Sequence, residues 1–284
     1  MNRKIRILLI ALLAAVLLLS CFKIVYSVLQ SKAEDASFKE LAALTRMPDK
    51  HTAKTTTEPE TVPAGSESVE TKAMDAADSH AAESTPTEPE SVASEPTPVF
   101  TRNLSPLFER NADCIGWICI PNTTIDYPVV HTPQEPEKYL RLDFDGAYSR
   151  SGVPFLQGNC TLDSDNLIIY GHNMQNGTMF SNLIQYCDRS FCAEHPTIEF
   201  ETARGRKLYA VYAVALVKET DPWYQFVDAF DEADFVGRIS ELEQIALYST
   251  GDPPQYGQRL LSLSTCYGAD KADRLLVIAV EPMQ

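Results

Sequence analysis

Near the C-terminus, the stretch LSLSTCYGADKADRLLVIAV (Leu261–Val280) holds a thiol and a guanidinium at a spacing that suits chemistry. Two apolar runs flank a turn rich in Gly, Asp and Lys, the pattern of a β-hairpin. Strand side chains alternate, so Ser262, Ser264 and Cys266 share the more polar face, and Leu261, Leu263 and Thr265 the other. Cys266 ends the first run and Arg274 opens the second, which makes them neighbours across the hairpin. A thiol at a strand end is partly exposed, and a cation beside it favours the thiolate. A guanidinium there can also hold a carbonyl oxygen as it gains charge during acyl transfer.

Such a thiol needs a base. In DNLIIYGHNM, Leu167 and Ile169 share one face and Ile168, Tyr170 and His172 the other. His172 at a strand end is a suitable general acid or base, and Gly171 beside it is expected to let a substrate come close. Each residue alone has a blander reading. A strand-end cysteine is most often an inert small hydrophobe, and an arginine a solvated charge. A histidine is usually a hydrogen-bonded structural residue, as expected here for His131 and His195. Together, cysteine, histidine and arginine are the minimum for nucleophilic catalysis with an oxyanion partner.

These residues must be positioned by a β-rich domain that begins near Thr101. LSPLFERN reads as a short helix with Ser105 as N-cap and Pro106 in its first turn. Eight short strand-like runs follow: GWICI, DYPVV, GVPFL, NLIIYGH, TIEFETA, KLYAVYAVALV, RLLSLSTC and RLLVIAV. That many short strands with little helix between them predicts a closed barrel. One insertion is helical: Phe235, Ile239, Leu242 and Ala246 recur at helical spacing within Phe230–Tyr248, stopped by Gly251, Pro253 and Pro254. It precedes the cysteine strand and is expected to wall the site.

The other end of the chain is different in kind. Arg3, Lys4 and Arg6 precede the apolar run ILLIALLAAVLLLSCF, which KIVYSVL extends to membrane-spanning length. The basic flank predicts a cytoplasmic N-terminus and an exported remainder. The long apolar region and the lack of a small-x-small site favour an uncleaved anchor over a signal peptide. A lipoprotein at Cys21 lacks the usual small residues before the cysteine. Residues 1–30 are thus read as basic flank and anchor, 31–99 as a weak helix (Ser27–Thr45) running into a stalk, and 100–284 as the catalytic domain. Residues 51–100 hold ten acidic side chains against two lysines, six prolines and one aromatic, too little apolar surface to offset ordering. About half of the net charge of −15 sits there, and no basic patch supports nucleic-acid binding. The seven cysteines lack the spacing of a zinc knuckle or a thioredoxin motif and are expected to be mostly buried free thiols. Nothing in the chain calls for a cofactor, a metal or a calcium cluster.

LSTC followed by arginine at the start of the last apolar strand, with IIYGHNM upstream, resembles the sortases, cysteine transpeptidases on the outer face of Gram-positive cells. IGWICIPNTTIDYPVV, YLRLDFDGAYSRSGVPFL, NLIIYGHNMQNGTMFSNL and HPTIEF are similar, in order, to the class B branch. The resemblance implies a mainly β fold: an eight-stranded sortase-type barrel with an N-terminal helix and a helical insertion before the cysteine strand. It implies that catalytic Cys266 attacks the Thr carbonyl of an LPxTG-like or NPxTN-like C-terminal sorting signal on a surface protein, giving a thioacyl-enzyme. An amine of a peptidoglycan precursor or a pilin would then release the product. His172 would shuttle the protons and Arg274 hold the oxyanion. Ser264 and Thr265 would line the groove, with Tyr170, Tyr224 and Tyr267 as further substrate contacts. The localisation implied is the cell membrane, single-pass, with the catalytic domain outside. Two departures stand out: the loop from Cys266 to Arg274 is short, and Tyr267 stands where an acidic residue is common. The competing readings are a hydrolytic cysteine peptidase and a non-catalytic surface scaffold.

Overall fold

The computed structural model describes residues 3–47, 100–270 and 272–283. The strands are β1 (Cys114–Cys119), β2 (Asp126–Val130), β3 (Phe155–Leu156), β4 (Asn166–Tyr170), β5 (Thr197–Thr202), β6 (Gly205–Lys218), β7 (Ala246–Ser249), β8 (Leu260–Cys266) and β9 (Asp273–Val280). Their order is β5-β1-β2-β3-β4-β8-β9-β6-β7, and β6 also pairs with β5. Eight strands therefore close into a barrel, with β7 as a flap on one edge. All pairings are antiparallel except β2–β3 and β4–β8. Trp117, Tyr209, Tyr212 and Phe200 are among the large side chains buried in the core. Each contributes about 1.5–3 kcal/mol through the apolar area it removes from water.

Among the described residues four α-helices accompany the barrel: α1 (Arg3–Leu44), α2 (Ser105–Arg110), α3 (Arg189–Glu194) and α4 (Glu232–Ile245). The segment expected to be an anchor and the weakly predicted helix after it form the single helix α1. The segment expected to be a stalk lies outside the described residues. In α2 the N-cap position is Leu104 rather than Ser105, and the Asn103 side chain accepts the Ser105 N–H instead. In the insertion, the helix predicted over Phe230–Tyr248 ends at Ile245, where the chain turns extended and becomes β7. The reason is tertiary. β6 pairs with β5 only as far as Ala210, and β7 takes up the edge that β5 leaves, at Ala213–Ala215.

The N-terminal half of α1 exposes an apolar surface, including Ile7, Leu12, Leu17 and Phe22. Among the described residues α1 is the one helix long and apolar enough to cross a membrane. Its C-terminal half changes character. Glu34, Phe38, Leu41 and Thr45 recur at four, three and four, which aligns them on one face. That face docks on the barrel: Leu41 and Thr45 are fully buried, and Phe38 meets Tyr127 edge-on at 5.1 Å. Glu34 accepts hydrogen bonds from Ser149 Oγ, Ser151 Oγ and the Arg150 N–H. An antiparallel bridge joins Arg46 to Arg102 just beyond the helix.

Candidate active site

The parallel pair β4–β8 places the two candidate chemical groups at one end of the barrel. Tyr170 lies opposite Ser264, and the loop after β4 is stitched to the end of β8 on both sides of His172. The Gly171 N–H donates to the Ser264 carbonyl at 3.1 Å. Thr265 Oγ1 donates to the Gly171 carbonyl at 2.7 Å, and Asn173 Nδ2 to the Cys266 carbonyl at 3.0 Å. Gly171 matters here for a different reason than expected. A Cβ on it would fall 2.5 Å from the buried ring of Phe180, so the close approach is made by that ring rather than by a substrate.

Arg274 follows from the hairpin. Cys266 and Arg274 are directly paired partners of β8 and β9, as the spacing predicts. The guanidinium donates to the Asp273 carbonyl at 3.0 Å and to Glu219 Oε2 at 2.6 Å. Glu219 comes from the end of β6, whose Val217 pairs with Arg274. Cys266, His172, Arg274 and Glu219 line one open cleft of about 560 Å³. Cys266 is exposed, whereas Cys114, Cys160 and Cys192 are buried, and all seven cysteines are free.

The electrostatics of His172 follow from its two faces. Nε2 lies 2.9 Å from the carbonyl of Leu140, which only accepts, so Nε2 carries the proton and Nδ1 keeps the basic lone pair. Burial lowers the histidine pKa and nearby Arg141 lowers it further, against the raising effect of the Leu140 carbonyl. At neutral pH the ring is therefore mainly the neutral, proton-accepting form.

The helical insertion walls the cleft as expected, through the turn Pro222–Gln225 rather than through α4. Trp223 Nε1 donates to Ser262 Oγ at 2.9 Å, and Tyr224 Oη and Ser264 Oγ lie 2.8 Å apart. This is why β8 can bury serines: each finds a partner in the insertion. Tyr224 stacks on Tyr170 at 5.9 Å, and Tyr170 on Phe155 at 5.4 Å, giving an aromatic wall. Burial pushes the Tyr224 hydroxyl up to about 12, so both tyrosines stay neutral donors.

Of the predicted contact residues, Ser264, Thr265, Tyr170 and Tyr224 line the cleft together with the three catalytic candidates. Tyr267 does not. His131 and His195 do not line the cleft; each ring is bonded to a backbone carbonyl, of Gly158 and Pro121 respectively. Sequence reasoning missed Glu219, the Leu140 carbonyl and the clamp formed by Asn173. Only Asn173 had a local signal, its place beside His172.

The sortase domain family matches residues 118–281 of the chain. Sortase B of Listeria monocytogenes is 32% identical over 166 residues, which are 57% of this chain and 66% of that protein. The Staphylococcus aureus sortase B–substrate complex superposes with a TM-score of 0.58 at 27% identity, covering 62% of this chain and 82% of that one. Sortase B of Clostridium perfringens does so at 0.59 and 26% identity, covering 64% of this chain and 100% of that one.

Proposed function

The chain belongs to the sortase family, whose members are cysteine transpeptidases, and to its class B branch; from that membership we propose that it joins surface proteins to an amine acceptor at the outer face of the membrane. His172 takes the Cys266 proton at Nδ1, and Sγ, now the thiolate, attacks the Thr carbonyl carbon of an LPxTG-like or NPxTN-like sorting signal. Arg274 holds the oxygen as it becomes negative. His172 gives a proton to the departing amine nitrogen, the C–N bond breaks and a thioester to Cys266 remains. An incoming amine then attacks the thioester carbon and loses a proton to His172, and the thiolate departs. The acceptor is an amine of a peptidoglycan precursor or a pilin. α1 anchors the enzyme as a single span with the barrel outside. Ser264 and Thr265 hold the wall and the loop, while Tyr170 and Tyr224 offer aromatic surface to the signal peptide.

The observation that carries this reading is the single cleft shared by an exposed thiol, a neutral histidine and a guanidinium that three different elements supply. The test uses the full chain in detergent micelles with quenched sorting-signal peptides. Mass spectrometry reads the products with and without triglycine. Cleavage after Thr, with the amine adduct appearing when triglycine is added and both lost in Cys266→Ala, is the expected result. Cleavage whose only product is the free acid would make it a hydrolase. No cleavage of any peptide would remove the catalytic reading.

A further inference from the structure

We propose that the groove between α1 and the His172–Asn176 loop binds the phosphate of an anionic membrane lipid and seats the barrel on the bilayer surface. This rests on the reading of α1 as a membrane anchor. The groove has a volume of about 680 Å³ and shares only His172 with the catalytic cleft. Its cations are Lys32, Arg141 and Arg150, and its one carboxylate is Glu34. Glu34 already accepts from two serine hydroxyls and a backbone N–H.

The two arginines, by contrast, donate to neutral oxygens. Arg141 donates to the Arg150 carbonyl at 3.1 Å, and Arg150 to Ser27 Oγ at 3.0 Å. Among the described residues none of the three makes an ion pair. In a chain of net charge −15 that leaves a local positive concavity. Two guanidiniums line the same groove as Ser31 and Asn176, whose Nδ2 donates to Ser31 Oγ and leaves the serine hydroxyl proton to join a donor set suited to a phosphate.

Position along α1 identifies the source of that phosphate. A span needs about 20 residues for a core of roughly 30 Å. The exposed apolar surface starting at Ile7 supplies that length by Tyr26, an aromatic suited to the interface. The groove begins at the next residue, Ser27, and runs to Glu34. It therefore opens at the level of the lipid headgroups. Such a patch gives an anionic surface a local attraction that the net negative charge of the chain does not. The consequence for function is placement: the wall that carries His172 is held against the membrane.

The test uses the full chain in nanodiscs of phosphatidylcholine, with and without phosphatidylglycerol. Co-migration with the disc reads insertion, and hydrogen exchange reads the segments 141–152 and 172–177. Exchange several-fold slower on the anionic discs is expected. That difference should vanish in Arg150→Gln, return in Arg150→Lys and shrink in Lys32→Gln, an exposed site where folding is not at risk. A chain that inserts but exchanges equally on both discs overturns the lipid site alone. A chain that does not insert overturns the anchor and the site together. Equal protection on neutral discs by free inorganic phosphate would assign the groove to a soluble anion and overturn the lipid.

Discussion

At His172 a carbonyl on one nitrogen and burial around the ring pull the proton affinity in opposite directions, and burial dominates. The folded-state pKa lies below the ordinary histidine value near 6.5, so in this window the unfolded chain binds more protons than the folded one. Stability is therefore present above about 6.5 and lost as pH falls through that value towards the lower folded pKa. Urea unfolding at about pH 7.5 and about pH 5.5, either side of that value, should show a loss that is smaller in His172→Gln. An identical loss in both proteins would mean the ring is not held neutral. The thiols make a second prediction. Burial raises Cys114 and Cys119 to about 12 and Cys160 to about 11, far from thiolate at neutral pH. Brief alkylation of the folded protein in micelles, which cover Cys21, should add one label by intact mass. Cys266→Ala should add none. A label on Cys114 or Cys160 instead would contradict the burial that separates structural thiols from the candidate nucleophile.

Among the elements, the β4–β8 pair and the loop after it fix the site. The packing at Gly171 tells how tightly. In Gly171→Ala the new methyl meets the Phe180 ring at 2.5 Å, in a place where that ring is fully buried. Overpacking of this kind costs about 1–3 kcal/mol. Because Gly171 N–H and carbonyl both clamp the loop to β8, His172 moves with it. The expected result is a lower urea midpoint and at least about a tenfold fall in kcat, since small misplacements of a catalytic group are expensive. Unchanged kcat would mean that the stitching does not position the histidine. Much of this was legible in the chain. The eight barrel strands and the Cys266–Arg274 pairing follow from alternation and turn residues, which are local. Glu219 was not, because its place beside Arg274 depends on the β6–β9 register, a pairing between segments far apart in sequence. β7 was hidden for a similar reason: its residues continue a helical spacing, and only the vacant edge of β6 turns them into a strand. Tyr267, a contact that only the resemblance implied, lies outside the cleft lining, where the chain has left β8 after Cys266.

For the molecule as a whole, α1 and the barrel share a core rather than a tether. Leu41 is fully buried at the contact, Thr45 accepts from Arg102, and Arg110 reaches Glu40. The sequence hides this, because Phe38 and Leu41 are too sparse an apolar face to predict docking without the surface that receives them. Two consequences separate at this scale. Leu41→Ala opens a cavity in the joint core, so the full chain should lose about 2–5 kcal/mol in a single cooperative transition. A barrel transition unaffected by this change would make the helix an independent unit. The second concerns residues 48–99. Their flanks are brought together by the Arg46–Arg102 bridge, and the Asn103 N–H donates to the Thr45 carbonyl at 2.8 Å. With residues 48–99 replaced by Asn-Gly, a five-residue loop of Met47, Asn, Gly, Phe100 and Thr101 joins that pair, a length that hairpins use. Replacing residues 48–99 with those two residues should therefore leave the unfolding midpoint and peptide cleavage in micelles near those of the full chain, because the contacts described between α1 and the barrel lie outside the deleted segment. A sharp loss of stability would show that the acidic segment contributes to the folded unit. A loss of cleavage with stability intact would give it a part in substrate capture.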